Sequence, residues 1–426
     1  MGVFTRATAS RSRTRTATLS GLAFLGASAL VLTGCSSPGG GDGGNEKPAG
    51  EDLTMKIGTL LPQTGQLAFL GPPEEAGVGL AVKEINDADL GIEIDVTYGD
   101  SGDPDNKAFA TTVPNLLGED VSAIVGAASS GVTKLVIDEV TGAGVIQFSP
   151  ANTSADFTTW DDNGLFWRTA PSDVLQGEVL GNLIAEEGNE TLGILYLNDS
   201  YGTGLAGFVK ENFEAAGGEV VEEVSYNAGD TSFDAQISSL KAANPDAIAL
   251  IAFEETKTIV PALGYDPTKL YLADGNTADY SANPEMKLEG AKGTVPGLDT
   301  AGLGDFTDRL QAYWQEDEGN DELKDYSYAA ESYDAVVLLA LAALQAGSTE
   351  GKDVAAELAS VSGGGEGDAG EKCENFKDCA ALINDGKTAD YDGYSGPITF
   401  DENGDPTEAT IGIYQYQADN SIERTN

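Results

Sequence analysis

The 426 residues carry 70 acidic and 23 basic side chains, a formal net charge of −47, and no histidine. Such an excess of carboxylate excludes a nucleic-acid binder, which must neutralise phosphates with Lys and Arg, and suits solubility in a saline or crowded exterior. Without histidine, Ser-His-Asp and Cys-His nucleophilic sites and His-based zinc sites are also excluded, leaving carboxylates, Lys or Tyr for any chemistry.

Residues 1–34 hold Arg6, Arg11, Arg13 and Arg15 but no acid, followed by an apolar segment from Leu19 to Leu32. That is the pattern of a secretory signal peptide, and it is shorter than a membrane span. Leu32-Thr33-Gly34-Cys35 resembles the lipobox of bacterial lipoproteins, which implies that Cys35 is lipidated and anchors the mature chain to the membrane. Residues 35–50, rich in Gly with Pro38 and Pro48, read as a flexible tether spanning on the order of 20 Å.

Met55 to Leu61 predicts a buried strand, with a loop from Pro62 through Gly71 before a helix over about Pro73 to Asn86. Ile92 to Tyr98 reads as a second strand and Asp105 to Leu117 as a second helix despite Pro114. Val121 to Val125 is an apolar run that stops at Gly126, and Val132, Leu135, Val136 and Val140 then follow at helical spacing. Val145 to Phe148 reads as a further short strand before the polar loop Ser149-Pro150-Ala151-Asn152-Thr153-Ser154. In a parallel sheet both loops lie at strand carboxyl ends, where open α/β sheets bind ligands, and Ser129 and Ser130 sit where a helix N-terminus exposes N–H groups. Plain helix capping is the alternative for these serines. Leu165 to Ala170 reads as a crossing segment.

From Asp173 helix and strand alternate again as far as Ala273, which predicts a second lobe with its own parallel sheet. Phe306 to Gln315 and Tyr326 to Ala346 are longer helical patterns. Ser362 to Gly370 reads as a mobile Gly-rich acidic loop. Cys373 and Cys379 are expected to pair in a secreted chain, a half-built Cys-ligated metal site being the weaker reading. Ile398 to Phe400 and Thr410 to Gln417 read as closing strands around an Asn403-Gly404 turn. Gly202 to Gly207 matches G-x-G-x-x-G but is set apart from its strand by Asn198 to Tyr201, so it is read as a chance match. Asp401 to Asp405 lacks the glycine and terminal glutamate of a calcium loop and reads as a solvated turn.

MKIGTLLPQTGQLAFLG, SAIVGAASS, IQFSPANTS, LYLNDSYGTG, TSFDAQISSLKAANPDAIAL and YDGYSGPITFDENGD, in this order, resemble the branched-chain amino acid binding proteins of ABC importers. That family has the type I periplasmic binding protein fold, two Rossmann-like α/β lobes with parallel sheets joined by a hinge. The resemblance implies a first lobe of residues 51–170 plus 296–394 and a second of 171–295 plus 395–426. It implies a carboxylate site at Ser129 or Ser130 with Asn152 and Thr153, an aromatic wall at Tyr201, and Asp274 as acidic partner of an ammonium. Without a ligand, Asp274 reads as a turn residue and Tyr201 as an ordinary half-buried tyrosine. The chain departs from the family at Phe253-Glu254-Glu255, where Glu254 stands as a possible second acid, and at Leu70, where a large aromatic often lines the pocket.

The resemblance implies an extracytoplasmic, monomeric binder of a branched-chain or other apolar amino acid, without enzymatic activity, metal or cofactor, serving a membrane permease. With only Arg168, Arg309 and Arg424 beyond residue 34, a pocket of paired arginines for phosphate or a dicarboxylate is not expected. Alternatives are another zwitterionic, neutral or cationic solute such as an amide, urea, polyamine or nucleoside, or a sensory ligand-binding subunit. A secreted hydrolase working through Glu254 and Asp274 is the enzymatic rival.

Overall fold

The computed structural model describes residues 52–299, 303–317, 319–364 and 369–426. The expected signal segment, Cys35 and the tether lie outside the described residues, as do residues 365–368 of the Gly-rich insert. The first lobe opens with β1 (Leu53–Leu60), α1 (Gly71–Ala88), β2 (Ile92–Thr97), α2 (Phe109–Gly118), β3 (Ala123–Gly126), α3 (Ser130–Gly142), β4 (Ile146–Ser149) and β5 (Phe166–Arg168). These strands form a parallel sheet in the order β2-β1-β3-β4-β5, with Ile57 opposite Ala123 and Val125 opposite Phe148. Near-continuous apolar runs such as AIVG are what a sheet covered on both faces requires.

The second lobe continues with α4 (Asp173–Glu186), β6 (Thr191–Leu197), α5 (Ser200–Ala215), β7 (Glu219–Tyr226), α6 (Asp234–Ala243), β8 (Ala247–Ile251), α7 (Thr256–Leu263), β9 (Leu270–Leu272) and β10 (Lys292–Pro296). The chain returns to the first lobe for α8 (Asp305–Trp314), α9 (Ala329–Ala346), α10 (Gly351–Val361), β11 (Glu371–Cys373), α11 (Phe376–Asn384), β12 (Ala389–Gly393) and β13 (Gly396–Pro397). It ends in the second lobe with β14 (Ile411–Tyr416) and β15 (Ile422–Arg424). The second sheet has the order β15-β14-β10-β9-β8-β6-β7, all its strands running parallel except β14, which is antiparallel to both of its neighbours, β10 and β15. Strands β11 to β13 form a small separate sheet, and Cys373 is joined to Cys379 by a disulfide.

Each lobe has its own core. In the first, α9 is buried along nearly its whole length between α1 and α10, so a helix apolar enough to cross a membrane serves here as a core element. Residues of α2 and α3 cover the opposite face of the sheet against Leu60 and Ile124. In the second lobe, Leu195, Leu205, Val209 and Leu250 centre a comparable cluster.

Several boundaries differ from the sequence pattern for local reasons. The second helix begins at Phe109 rather than Asp105, because the Asp103 carboxylate accepts from the backbone N–H groups of Asp105 and Asn106 and ties them into a turn. Helix α9 begins at Ala329 because Tyr328 has φ of 60° and cannot continue a helix backwards. Leu165 to Ala170 is an edge strand of the first sheet that passes into the crossing only after Arg168. The last crossing comes later than residue 395: Ile398 and Phe400 still lie in the first core, the Phe400 ring sitting 6.0 Å from Phe148 and 5.2 Å from Trp167. Only after Phe400 does the chain leave for β14.

Candidate functional site

The serine loops of the first lobe bind each other. Ser129 caps α3, its hydroxyl oxygen accepting from the N–H of Val132 at 3.3 Å. The Ser130 hydroxyl oxygen accepts from the N–H groups of Thr153 and Ser154, both at 3.3 Å. A serine oxygen has two lone pairs and one proton, so with two N–H donors aimed at it Ser130 has only its O–H left to give. That leaves a donor where an anion would sit, at a helix N-terminus that favours negative charge.

The Ser149–Ser154 loop is fixed from below. The Ser149 hydroxyl donates to the Ala127 carbonyl at 2.7 Å and accepts from Asn152 N–H at 3.0 Å. The Asn152 amide donates to Thr133 Oγ1 at 3.0 Å, so this side chain faces α3 and does not line the cleft. Arg168, wholly buried, donates from Nη1 to the Ser154 carbonyl at 2.8 Å. Its Nε and Nη2 hold the Asp405 carboxylate at 2.6 and 2.8 Å, a bidentate pair. The Asp401–Asp405 turn thus supplies the counter-ion of a buried guanidinium.

Across the cleft, Asp274 follows β9 and is the most densely hydrogen-bonded acid of the site. Oδ1 accepts from the Tyr201 hydroxyl at 2.7 Å and from Gln176 Nε2 at 3.0 Å, and Oδ2 from the Tyr328 hydroxyl at 2.6 Å. Burial raises its pKa, while the bonds from Tyr328, Tyr201 and Gln176 oppose the rise. Tyr201 also lies flat on Phe253, with centroids 5.3 Å apart and planes 14° from parallel.

A second carboxylate stands beside it. Asp173, at the first turn of α4, is fully buried and neither oxygen has a hydrogen-bond partner. The Thr153 hydroxyl is near enough to favour the charged form but falls short of hydrogen-bond geometry. Burial, then repulsion from Asp274, pushes the Asp173 carboxyl well above the usual range. A buried acid without a partner is costly when ionised, so this carboxyl favours its neutral form unless a positive group stands beside it. Nothing in the local pattern marks it: an acid in the first turn of a helix is what the helix dipole alone would explain.

One small cavity joins these groups. Leu67, Leu70, Ala128 and Ala151 form its apolar wall, with Ser129, Ser130 and Thr153 at one side and Tyr201, Phe253, Asp274 and Tyr328 at the other. Six of the eight sequence-predicted ligand residues therefore meet there; Asn152 and Glu254 do not. Glu254 points outward and is salt-bridged to Lys257 at 2.6 Å, one turn along the start of α7. Glu255 is the buried acid of that pair, its Oε2 accepting from the N–H of Phe253. Tyr328, Gln176 and Leu67 were not legible as site residues: the first two lie at helix starts, and Leu67, though in the loop after β1, is an apolar residue with no polar signal. The free volume is about 20 Å³, room for roughly one water. A solute can enter only when the lobes part.

Residues 54–421 match the family described as periplasmic binding protein. The leucine-, isoleucine-, valine-, threonine-, and alanine-binding protein of Pseudomonas aeruginosa is 28% identical over 375 residues, covering 86% of this chain and 91% of that one. The chemotactic signal transduction system substrate-binding protein BasB of Halobacterium salinarum is 27% identical over 369 residues, 82% of this chain and 84% of that one. The leucine binding protein LivK of Thermotoga maritima superposes with a TM-score of 0.69 at 22% identity, covering 87% of this chain and 98% of that one. A family match over nearly the whole described chain settles its kinship: the chain belongs to the periplasmic binding protein family, as a non-enzymatic, extracytoplasmic solute-binding protein of the ABC-transporter type.

Proposed function

We propose that the chain captures a branched-chain or other apolar amino acid between its lobes and delivers it to a membrane permease, while lipidated Cys35 holds it at the outer face of the membrane as a monomer. The observation that carries this reading is the polarity of the cavity. Ser130 presents an O–H at a helix N-terminus on one side, and Asp274 stands on the other, with Asp173 outside the cavity lining but within its electrostatic reach. A carboxylate suits the first pole and an ammonium the second, so a zwitterion is favoured over a solute with one charge. Ser129 and Thr153 belong to the carboxylate side, and Tyr201 and Phe253 to the wall. Leu67, Leu70, Ala128 and Ala151 offer only apolar contact to the side chain. The Pseudomonas aeruginosa relative, named for leucine, isoleucine, valine, threonine and alanine, supports the same ligand class.

Binding is then closure: contacts to both lobes favour the closed state in proportion to the ligand's preference for it. The test is mass spectrometry of ligand released by denaturing the purified protein, followed by thermal-shift titration with an amino acid panel. Leucine, isoleucine or valine should raise the Tm. A response confined to amides, polyamines, nucleosides or aromatic acids would keep the fold and remove the ligand assignment. The name of the Halobacterium salinarum relative supports a second reading, presentation of the bound solute to a signalling partner. Loss of amino acid uptake on deletion of the gene favours import; intact uptake with lost chemotaxis favours sensing.

A further inference from the structure

A second cavity, of about 470 Å³, opens at the hinge and shares Tyr328 as a wall with the amino acid pocket. Both lobes build it: Val295 and Pro296 at the end of β10 and Tyr414 of β14 from one, Glu331 of α9 and Tyr394 from the other. Glu331 is 5% exposed, and among the described residues none donates a hydrogen bond to its carboxylate or forms an ion pair with it. Its Oε1 points at Gly297 in the cavity wall, 2.7 Å from where a Cβ on that glycine would stand. Behind it Glu74 of α1 is fully buried with both oxygens unpartnered, and the two acids repel one another. Asp279 and Asp325 add further negative charge to the lining.

The cations nearby do not answer this charge. Arg424 is turned onto the carbonyls of Gly297 and Asn426, both at 3.2 Å, and Lys324 is exposed at the rim. Among the described residues no group of three or more His, Cys, Asp or Glu is placed to hold a metal ion. Tyr326 and Tyr414 instead give aromatic walls, the Tyr394 ring being already stacked on Phe306 with the Arg309 guanidinium 5.5 Å from its centroid, and such walls attract weakly hydrated, planar cations more than compact, strongly hydrated ones.

We propose that this cavity is a second binding site, for an organic cation of the amidinium or guanidinium class, with its charge against Glu331 and its plane against the tyrosines. Because both lobes line the cavity, its occupant is linked to lobe closure and so to the amino acid pocket through Tyr328, and the linkage is reciprocal. The inference does not depend on which solute the first pocket takes.

The probe is benzamidine, with neutral benzamide as its shape-matched control, titrated calorimetrically into the purified full-length protein. Burial lifts the Glu331 carboxyl to about 8, so the titration is run near pH 9, where it is mostly ionised. Benzamidine should bind and benzamide should not. Glu331→Gln should weaken benzamidine by about tenfold or more, as should Tyr326→Ala to a lesser degree, while the response to leucine in Glu331→Gln shows that the fold is intact. Asp274→Asn, which disables the first pocket, should leave benzamidine binding in place. The proposal is overturned if benzamidine does not bind, if benzamide binds equally, if Glu331→Gln binds it unchanged, or if Asp274→Asn abolishes it. A protein that ignores leucine yet binds benzamidine through Glu331 would sink the amino acid reading alone.

Discussion

Two buried carboxylates of this molecule differ in what neutralises them. Asp405 receives both arms of the Arg168 guanidinium, so its charge is matched inside the protein. Asp274 receives only hydroxyl and amide donors, and its neighbour Asp173 receives none. The first pair holds a loop in place; the second meets no ion-pair partner among the described residues. Whether a buried charge is neutralised within the chain therefore separates architecture from binding here, where both sites read alike as buried acids.

The sharpest way to break that contrast is to remove Arg168. Arg168→Met should lower unfolding free energy by about 3 to 5 kcal/mol, because Asp405 would be left buried and unpaired, with the Ser154 carbonyl released as well. Urea unfolding without ligand measures it, and a loss below about 1 kcal/mol would make the pair dispensable. Asp274→Ala should abolish the leucine-induced rise in Tm, a loss of affinity of about a hundredfold or more, with the fold retained by circular dichroism. Unchanged affinity would remove Asp274 from the site.

Asp173→Asn should behave in the opposite sense to Arg168→Met. Without ligand, at a pH high enough to ionise Asp173, it should stabilise the protein by about 1 kcal/mol, since an unpartnered charge is relieved, while leucine binding falls by about tenfold. A destabilised variant would mean that Asp173 has a structural counter-ion after all.

Titration sharpens the comparison more gently. Asp173 and Asp274 are held above the ordinary range by burial, as are Asp199, pushed up to about 6, and Glu331, up to about 8. The folded protein thus binds these protons more tightly than the unfolded chain, and ligand-free stability falls as pH rises from about 4 through the raised values. Tm without ligand should be higher near pH 5.5 than near pH 8.5. The leucine-induced increment should change the other way, growing with pH as the acids facing the ammonium ionise. The smallest effect belongs to Glu254→Gln: it and its partner Lys257 are both partly open to solvent, so both stability and leucine affinity should stay within about 0.5 kcal/mol.

The two sites were unequally legible in the sequence. The loops SAIVGAASS and SPANTS follow apolar runs at strand ends, and periodicity alone located them because parallel strands leave few other places for polar residues. Asp274 came only with the family resemblance, since an acid before a glycine is otherwise a turn. Asp173, Gln176 and Tyr328 were hidden for a physical reason: each sits at or just before the start of a helix, and a polar residue there has an ordinary local explanation. Their role depends on a crossing that places α4 and α9 beside β9 from 54 to 98 residues away in sequence. Glu254 and Glu255 show the limit from the other side. Adjacent acids look equivalent in sequence, and the start of α7 sends one into solvent and the other into the core.

Strand β14 pairs with β10 along its whole length, antiparallel, and β15 closes the edge beyond it. The second lobe's sheet is therefore finished by residues 411–424, although most of its strands are complete by residue 272. Until the end of the chain arrives, β10 presents an open edge of unpaired backbone groups, which invites mispairing with other chains. Contacts this distant in sequence also slow folding, because the intervening loop must be closed before any of them forms. During synthesis the second lobe is thus the late and vulnerable half, and its aggregation risk is governed by how quickly the last sixteen residues, 411–426, find the edge waiting for them.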